Sequence, residues 1–133
     1  MIAAIADTHA AIWFVFGDRR LSPVARRFME ESLARGRKIG ISSITLIEIV
    51  YLEEKRRIPS GTLERFLALL GAQDGPFQEL PVQSDILQDF RHIAREAVPD
   101  LPDRVVGATA LSLGIAVLTK DRQIEAAGLK TIW

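Results

Sequence analysis

Four acidic residues form the one constellation in this sequence with an evident use in chemistry: Asp7, Glu48, Asp103 and Asp121. Asp7 follows the wholly apolar run Ile2–Ala6, and Asp121 stands just past Ile115–Leu118 with Thr119 in between. If both runs are parallel strands, both aspartates sit at the carboxyl edge of one sheet, where open α/β folds bind their ligands. Glu48 lies inside Ile44–Leu52, with Ile44 and Leu52 four residues to either side, so its carboxylate is expected on a buried face. An ionised carboxylate there costs at least several kcal/mol without a partner, so a cation should meet it, either an arginine or a metal ion. Asp103 opens a segment containing Val105, Val106, Ala108 and Leu111, and a helix starting at the carboxyl edge points its first turn toward Asp7 and Asp121.

Were the four to converge, mutual repulsion would raise some of their pKa values unless hard cations neutralised them. Oxygen-only ligands completed by water suit Mg²⁺ or Mn²⁺. Such ions acidify water and clamp phosphoryl oxygens, which makes phosphodiester hydrolysis the natural reaction. Each acid also has a plainer reading. Asp7 and Asp121 could be turn residues, Glu48 half of a buried salt bridge, and Asp103 a first-turn acid that complements the helix dipole. Asp100 is assigned to capping that helix. Ser42 and Ser43 could cap the helix carrying Glu48, or a hydroxyl could orient a water.

The other reactive side chains contribute little. The chain has no cysteine, which excludes disulfides, thiolate metal sites and a cysteine nucleophile. His9 and His92 show no spacing that pairs them as ligands, and they read as structural or solvated. Neither a Gly-x-Ser-x-Gly elbow nor a glycine-rich phosphate loop occurs. Trp13, Phe14 and Phe16 read as core or interface rather than as a base-stacking platform.

The elements that must position these residues alternate in type. Strands are expected at Ile2–Ala6, Lys38–Ser42, Phe77–Val82 and Ile115–Leu118, with a weaker one at Leu129–Trp133. Between them lie helical segments at Thr8–Phe16, from the Ser22-Pro23 cap to Gly36, at Ile44–Arg56, Thr62–Leu70, Ser84–Ala97 and Asp103–Leu113. This alternation predicts one α/β domain over residues 1–133, with a central parallel sheet flanked by helices on both sides.

Charge is balanced at 17 basic and 17 acidic residues, but not evenly spread. Arg19–Arg57 holds ten Lys/Arg against five Asp/Glu, whereas Asp74–Asp103 holds seven acids against Arg91 and Arg95. Solvated helix faces would explain this, and so would a cationic rim beside an anionic pocket that attacks a polyanion. The longest uncharged stretch, Val105–Thr119, is interrupted by Gly107 and Gly114 and falls short of the ~20 apolar residues of a membrane span. The first basic residue is Arg19, so the opening lacks a secretory signal's cationic start and a cytoplasmic location is expected.

Four segments in this order resemble the PIN-domain family, and within it the VapC-like toxins of prokaryotic toxin–antitoxin pairs. They are Ile5-Ala6-Asp7-Thr8-His9, Ser42 through Ile49, Asp103-Arg104-Val105-Val106-Gly107-Ala108-Thr109-Ala110 and Leu118-Thr119-Lys120-Asp121-Arg122. The family's Asp-Pro-x-Asp-Arg pattern appears here as Asp100-Leu101-Pro102-Asp103-Arg104, with the proline one place later. The resemblance implies a PIN fold and Mg²⁺- or Mn²⁺-dependent endoribonuclease activity. Asp7, Glu48, Asp103 and Asp121 would be the catalytic and metal-binding acids, with Thr119 and Ser42 in support. The RNA substrate would pass over Arg104, Lys120 and Arg122. It further implies a cognate antitoxin that offers an Arg or Lys to the carboxylates, and a homodimer to which Trp13 or Phe16 could contribute. Two other classes fit parts of the pattern: a phosphoaspartate-type transfer or phosphatase domain using Asp7, where the second acid expected two residues on is His9, and a non-catalytic RNA-binding module.

Overall fold

The computed structural model describes all residues from Met1 to Trp133. Its five strands are β1 (Ile2–Ala6), β2 (Lys38–Ser42), β3 (Phe77–Leu80), β4 (Ala116–Leu118) and β5 (Thr131–Ile132). All neighbours pair in parallel, in the order β3-β2-β1-β4-β5. The chain therefore winds outward from β1 in one direction through β2 and β3, and in the other through β4 and β5. Strand order reverses between β1 and β4, which is where a crevice opens at the carboxyl edge of such a sheet.

Seven helices cover the sheet: α1 (Thr8–Val15), α2 (Pro23–Ala34), α3 (Ser43–Glu54), α4 (Thr62–Gly71), α5 (Leu87–His92), α6 (Leu101–Leu113) and α7 (Arg122–Ala126). Side chains on a strand alternate between faces, and β1 shows the result. Ala4 and Ala6 join a core with Ala10, Met29, Ile49 and Phe66 from α1 to α4, while Ile5 joins a separate core with Val105, Val106 and Ile124 from α6 and α7. A central strand buried on both faces has to be apolar at every position, as Ile2–Ala6 is. Gly40 in β2 reflects the same crowding, since a Cβ there would stand 2.5 Å from Leu80 Cδ1. No helix is long and apolar enough to cross a membrane.

Several boundaries differ from the sequence reading, each for a local reason. The helix expected over Ser84–Ala97 is broken into a 3-10 turn at Ser84–Ile86 and the short α5, after which Ile93 turns extended. At the end of α5, Arg104 of α6 donates from Nε and Nη2 to the carbonyls of Ile93 and Phe90 at 2.8 and 3.0 Å, satisfying acceptors that no further helical turn uses. Its guanidinium also lies 4.0 Å from the Phe90 ring centroid. The third strand stops at Leu80, because Pro81 has no N–H to donate. Helix α6 begins at Leu101 rather than Asp103, with Asp100 as its N-cap accepting from the Asp103 N–H at 3.0 Å. Helix α7, only five residues long, was not anticipated, being too short for an apolar period to show.

Candidate active site

The structure brings Asp7, Asp103 and Asp121 to one cleft of about 660 Å³ at the reversal point between β1 and β4. The register sets the first and last of these. Ala6 of β1 pairs with Leu118 of β4, and the Asp7 N–H donates to the Leu118 carbonyl at 3.1 Å, so the residues leaving the two strands emerge side by side. Asp103 reaches the cleft from the first turn of α6.

Both strand-end aspartates are N-caps: Asp7 Oδ1 accepts from the Ala10 N–H at 2.8 Å, and Asp121 Oδ1 from the Gln123 N–H at 2.8 Å. Capping accounts for one oxygen of each carboxylate. It does not account for the burial of Asp7, which is 8% exposed. Burial pushes the Asp7 carboxyl above its usual range, against the Thr119 hydroxyl and the Ala10 N–H, which favour the ionised form; the charge of Asp121 adds to the upward shift. The Asp103 carboxyl is pushed up to about 7, first by loss of solvent and then by the charges of Asp100, Asp7, Asp121 and Glu48. Four acids therefore feel one another's fields in a place from which water is partly withdrawn.

Glu48 departs from its expected surroundings. Helix α3 buries Thr45 and Ile49 but leaves Ile47 and Tyr51 exposed, and the Glu48 side chain is half-buried beside α1. The partner is neither arginine nor lysine: the Thr8 hydroxyl donates to Glu48 Oε1, with Thr45 Oγ1 3.2 Å from the same Thr8 oxygen. Burial raises this carboxyl too, and the charges of Asp100 and Asp7 contribute. The molecule's single ion pair joins Arg20 to Asp18 and includes none of these acids. Replacing Glu48 by Gln is accordingly expected to leave the melting temperature in chelator equal or higher, since Gln keeps an acceptor for Thr8 and removes the strain of an unneutralised charge. A salt-bridged glutamate would instead cost about 3–5 kcal/mol on losing its charge, so a large drop in the melt would contradict this geometry.

Supporting residues fall close by. Ser42 is fully buried and caps α3, accepting from the Ile44 N–H at 3.2 Å. Thr119 is buried and accepts from the Asp121 N–H at 3.0 Å, which fixes the turn that carries Asp121. Lys120 and Arg122 line the cleft as a cationic rim, while Arg104 is engaged with Phe90 and Ile93. Four residues not singled out for the site complete the lining: His9, Trp13, Arg20 and Trp133. Trp133 falls inside the expected strand Leu129–Trp133, but β5 ends at Ile132, so Trp133 leaves its strand just as Asp7 and Asp121 leave theirs. Trp13 is 5% exposed and held in the chain's own core, which removes it as a subunit contact; Phe16, at 38%, remains on the surface.

No three of these carboxylates stand close enough to enclose an ion by themselves. The donor set nonetheless fits a hard divalent cation. Its atoms are all oxygens, none of the four acids forms an ion pair with a lysine or arginine, and Mg²⁺ ordinarily keeps several waters while binding one or two carboxylates.

No curated protein matches the sequence. Among solved structures, the chain is similar to one in VapBC2 from Rickettsia felis bound to a DNA fragment from their promoter, with TM-score 0.72, 15% identity, and 98% and 97% of the two chains covered. It is also similar to a chain of DNA-bound VapBC from Salmonella typhimurium, with TM-score 0.68, 24% identity, and 98% and 97% covered. A toxin–antitoxin complex from Klebsiella pneumoniae is a further neighbour, with TM-score 0.60, 21% identity, and 93% and 91% covered. These likenesses concern the fold. The family model described as PIN domain matches residues 4–129, nearly the whole chain, with the parallel sheet and the acids at its carboxyl edge inside the matched span, and the chain therefore belongs to the PIN-domain family.

Proposed function

We propose that residues 1–133 act as one nuclease domain, a divalent-metal-dependent endoribonuclease that serves in the cytoplasm as the toxin of a toxin–antitoxin pair. The observation that carries this reading is the group of interacting acids at the sheet's reversal point, none of which is held in an ion pair with a lysine or arginine. Membership of the PIN family and the likeness to chains from VapBC complexes support it.

Asp7, Glu48, Asp103 and Asp121 would hold Mg²⁺ or Mn²⁺. Such an ion supplies positive charge beside the phosphoryl oxygens and makes a nearby water more acidic. The chain's own contribution is placement. The caps on Asp7 and Asp121 fix one oxygen of each, Thr119 sets the turn that carries Asp121, Ser42 caps the helix that carries Glu48, and Thr8 holds Glu48. Lys120 and Arg122 offer charge to the RNA backbone as it crosses the rim. A partially desolvated site strengthens each of these interactions relative to water.

A preformed acidic site of this kind needs restraint from outside. An antitoxin segment lying across the cleft and presenting an Arg or Lys to the acids would supply it, and a homodimer is part of the same proposal. The decisive experiment is incubation of the pure protein with total RNA and Mn²⁺, with and without EDTA. Cleavage is expected only without the chelator, and is expected to stop when the product of an adjacent short reading frame is added. RNA left intact by folded protein with metal, or cut equally in EDTA, would overturn the nuclease reading.

A further inference from the structure

One wall of the acidic cleft is aromatic. Trp13 is buried beneath it, with the Arg20 guanidinium 5.1 Å and the Lys120 ammonium 5.0 Å from its ring centroid. Two long cationic side chains are thus propped over an indole at the cleft's edge, so less of their rotamer freedom is left to lose when an anion arrives. Trp133 stands next to this platform, its ring 5.9 Å from Trp13 and tilted by 59°. Unlike Trp13 it is only partly buried, packing against the core and also lining the cleft.

The position of Trp133 is more specific than that of a stray surface aromatic. A second hollow of about 390 Å³ adjoins the acidic cleft, and Trp133, Lys120, Asp121 and Arg122 border both. Trp133 is therefore part of the divide between the place where the acids lie and a neighbouring space of similar lining. A polyanion crossing the acids must pass this indole with Lys120 and Arg122 beside it.

We propose that Trp133 is the stacking platform of a nucleobase subsite next to the acidic centre, holding one unpaired base of the RNA beside the scissile phosphodiester. This rests on the nuclease reading above and names a residue that positions its substrate. The physical argument is that a base can lie on an indole only when its own face is free, which duplex stacking prevents. Lys120 and Arg122 then hold the phosphates on either side of the stacked base, and the neighbouring phosphodiester falls to the acids. Stacking tolerates any base, so this contact selects single strands without reading sequence.

The test uses full-length protein carrying Asp7→Asn, which is not expected to cut, with Mg²⁺ and a short labelled RNA oligonucleotide, either single-stranded or annealed to its complement. Trp133→Ala in that background is expected to weaken single-strand binding by about tenfold or more, Trp133→Phe by much less, and duplex binding to stay as it was. An oligonucleotide with one abasic position supplies an independent arm: removing the stacked base should weaken binding to the parent and add nothing to Trp133→Ala. Unchanged single-strand binding by folded Trp133→Ala overturns the subsite, as does an equal loss for single strand and duplex. If Trp133→Ala does not fold, Trp133→Phe and the abasic scan of the parent decide, and a parent indifferent to every abasic position refutes the proposal. Loss of a partner protein with RNA binding intact would place Trp133 in a protein interface instead. Failure of the nuclease reading looks different: the wild-type protein then cuts no RNA under any metal condition.

Discussion

Asp7→Asn is expected to lower RNA cleavage by roughly three orders of magnitude or more while the protein remains folded, taking a lost charge at the reacting centre as several kcal/mol at 1.36 kcal/mol per decade. The two halves of this expectation come from different atoms of one side chain. Oδ1 caps α1 by accepting from the Ala10 N–H at 2.8 Å, and an asparagine oxygen serves there equally well. The charge is what Asn removes, and the charge lies at 8% exposure in the field of Asp121. Folding therefore has nothing to lose: burial disfavours the ionised form, so the melting temperature without metal should be equal or higher. Cleavage rates and thermal melts on the same preparation check both halves. Undiminished cutting by the folded variant would remove Asp7 from the chemistry, whereas a collapsed melt would show that its charge supports the fold.

What made Asp7 legible in the sequence was a rule of topology rather than of side-chain chemistry. A wholly apolar run followed by a carboxylate marks a buried parallel strand that ends in the crevice, and the same reading found Asp121 after Leu118. The sheet and the flanking helices were visible in the same way, because their burial is written in apolar periodicity. Tertiary contacts were not. Arg104 sits beside Asp103 in sequence and reads as a rim cation, yet it reaches back to the Phe90 and Ile93 carbonyls, where α5 ends short of the helix expected over Ser84–Ala97. Glu48 shows the same limit. Its apolar neighbours place it on a buried face, whereas the structure leaves it half-buried, and its partner, Thr8, is 40 residues away across the fold, where no spacing rule connects them. Trp133 reads in the sequence as the end of a strand over Leu129–Trp133, and only the folded chain, whose strand stops at Ile132, brings it to the cleft.

Stability without metal is expected to fall as pH rises, and Asp103 sets the window. Its carboxyl titrates near 3.8 in an ordinary setting and is pushed up to about 7 in the folded chain. Between those values the folded protein holds a proton that the unfolded chain has released, so raising the pH draws the equilibrium toward unfolding, and the loss is complete above about 7. Asp7 and Glu48 are shifted in the same direction and reinforce the trend. A shift of this size for a sequestered group would correspond to about 4 kcal/mol at 1.36 kcal/mol per pH unit, and the partial exposure of Asp103 reduces that to roughly 1–2 kcal/mol. Thermal melts in EDTA across this range should descend by several degrees. Asp103→Asn should flatten the profile and melt higher than the parent on the alkaline side, since the gain exceeds the 0.3–1 kcal/mol or so of lost attraction between Asp103 and the α6 N-terminus. Added Mg²⁺ or Mn²⁺ should reverse the alkaline loss in the parent by binding the ionised acids, and should do little near the acid end, where protons already occupy them. The variant should respond weakly to metal at any pH. A parent whose melt rises with pH through the window, or an Asp103→Asn protein less stable than the parent on its alkaline side, would mean that some cation within the protein already neutralises these carboxylates, and with it would go the argument for a metal among them.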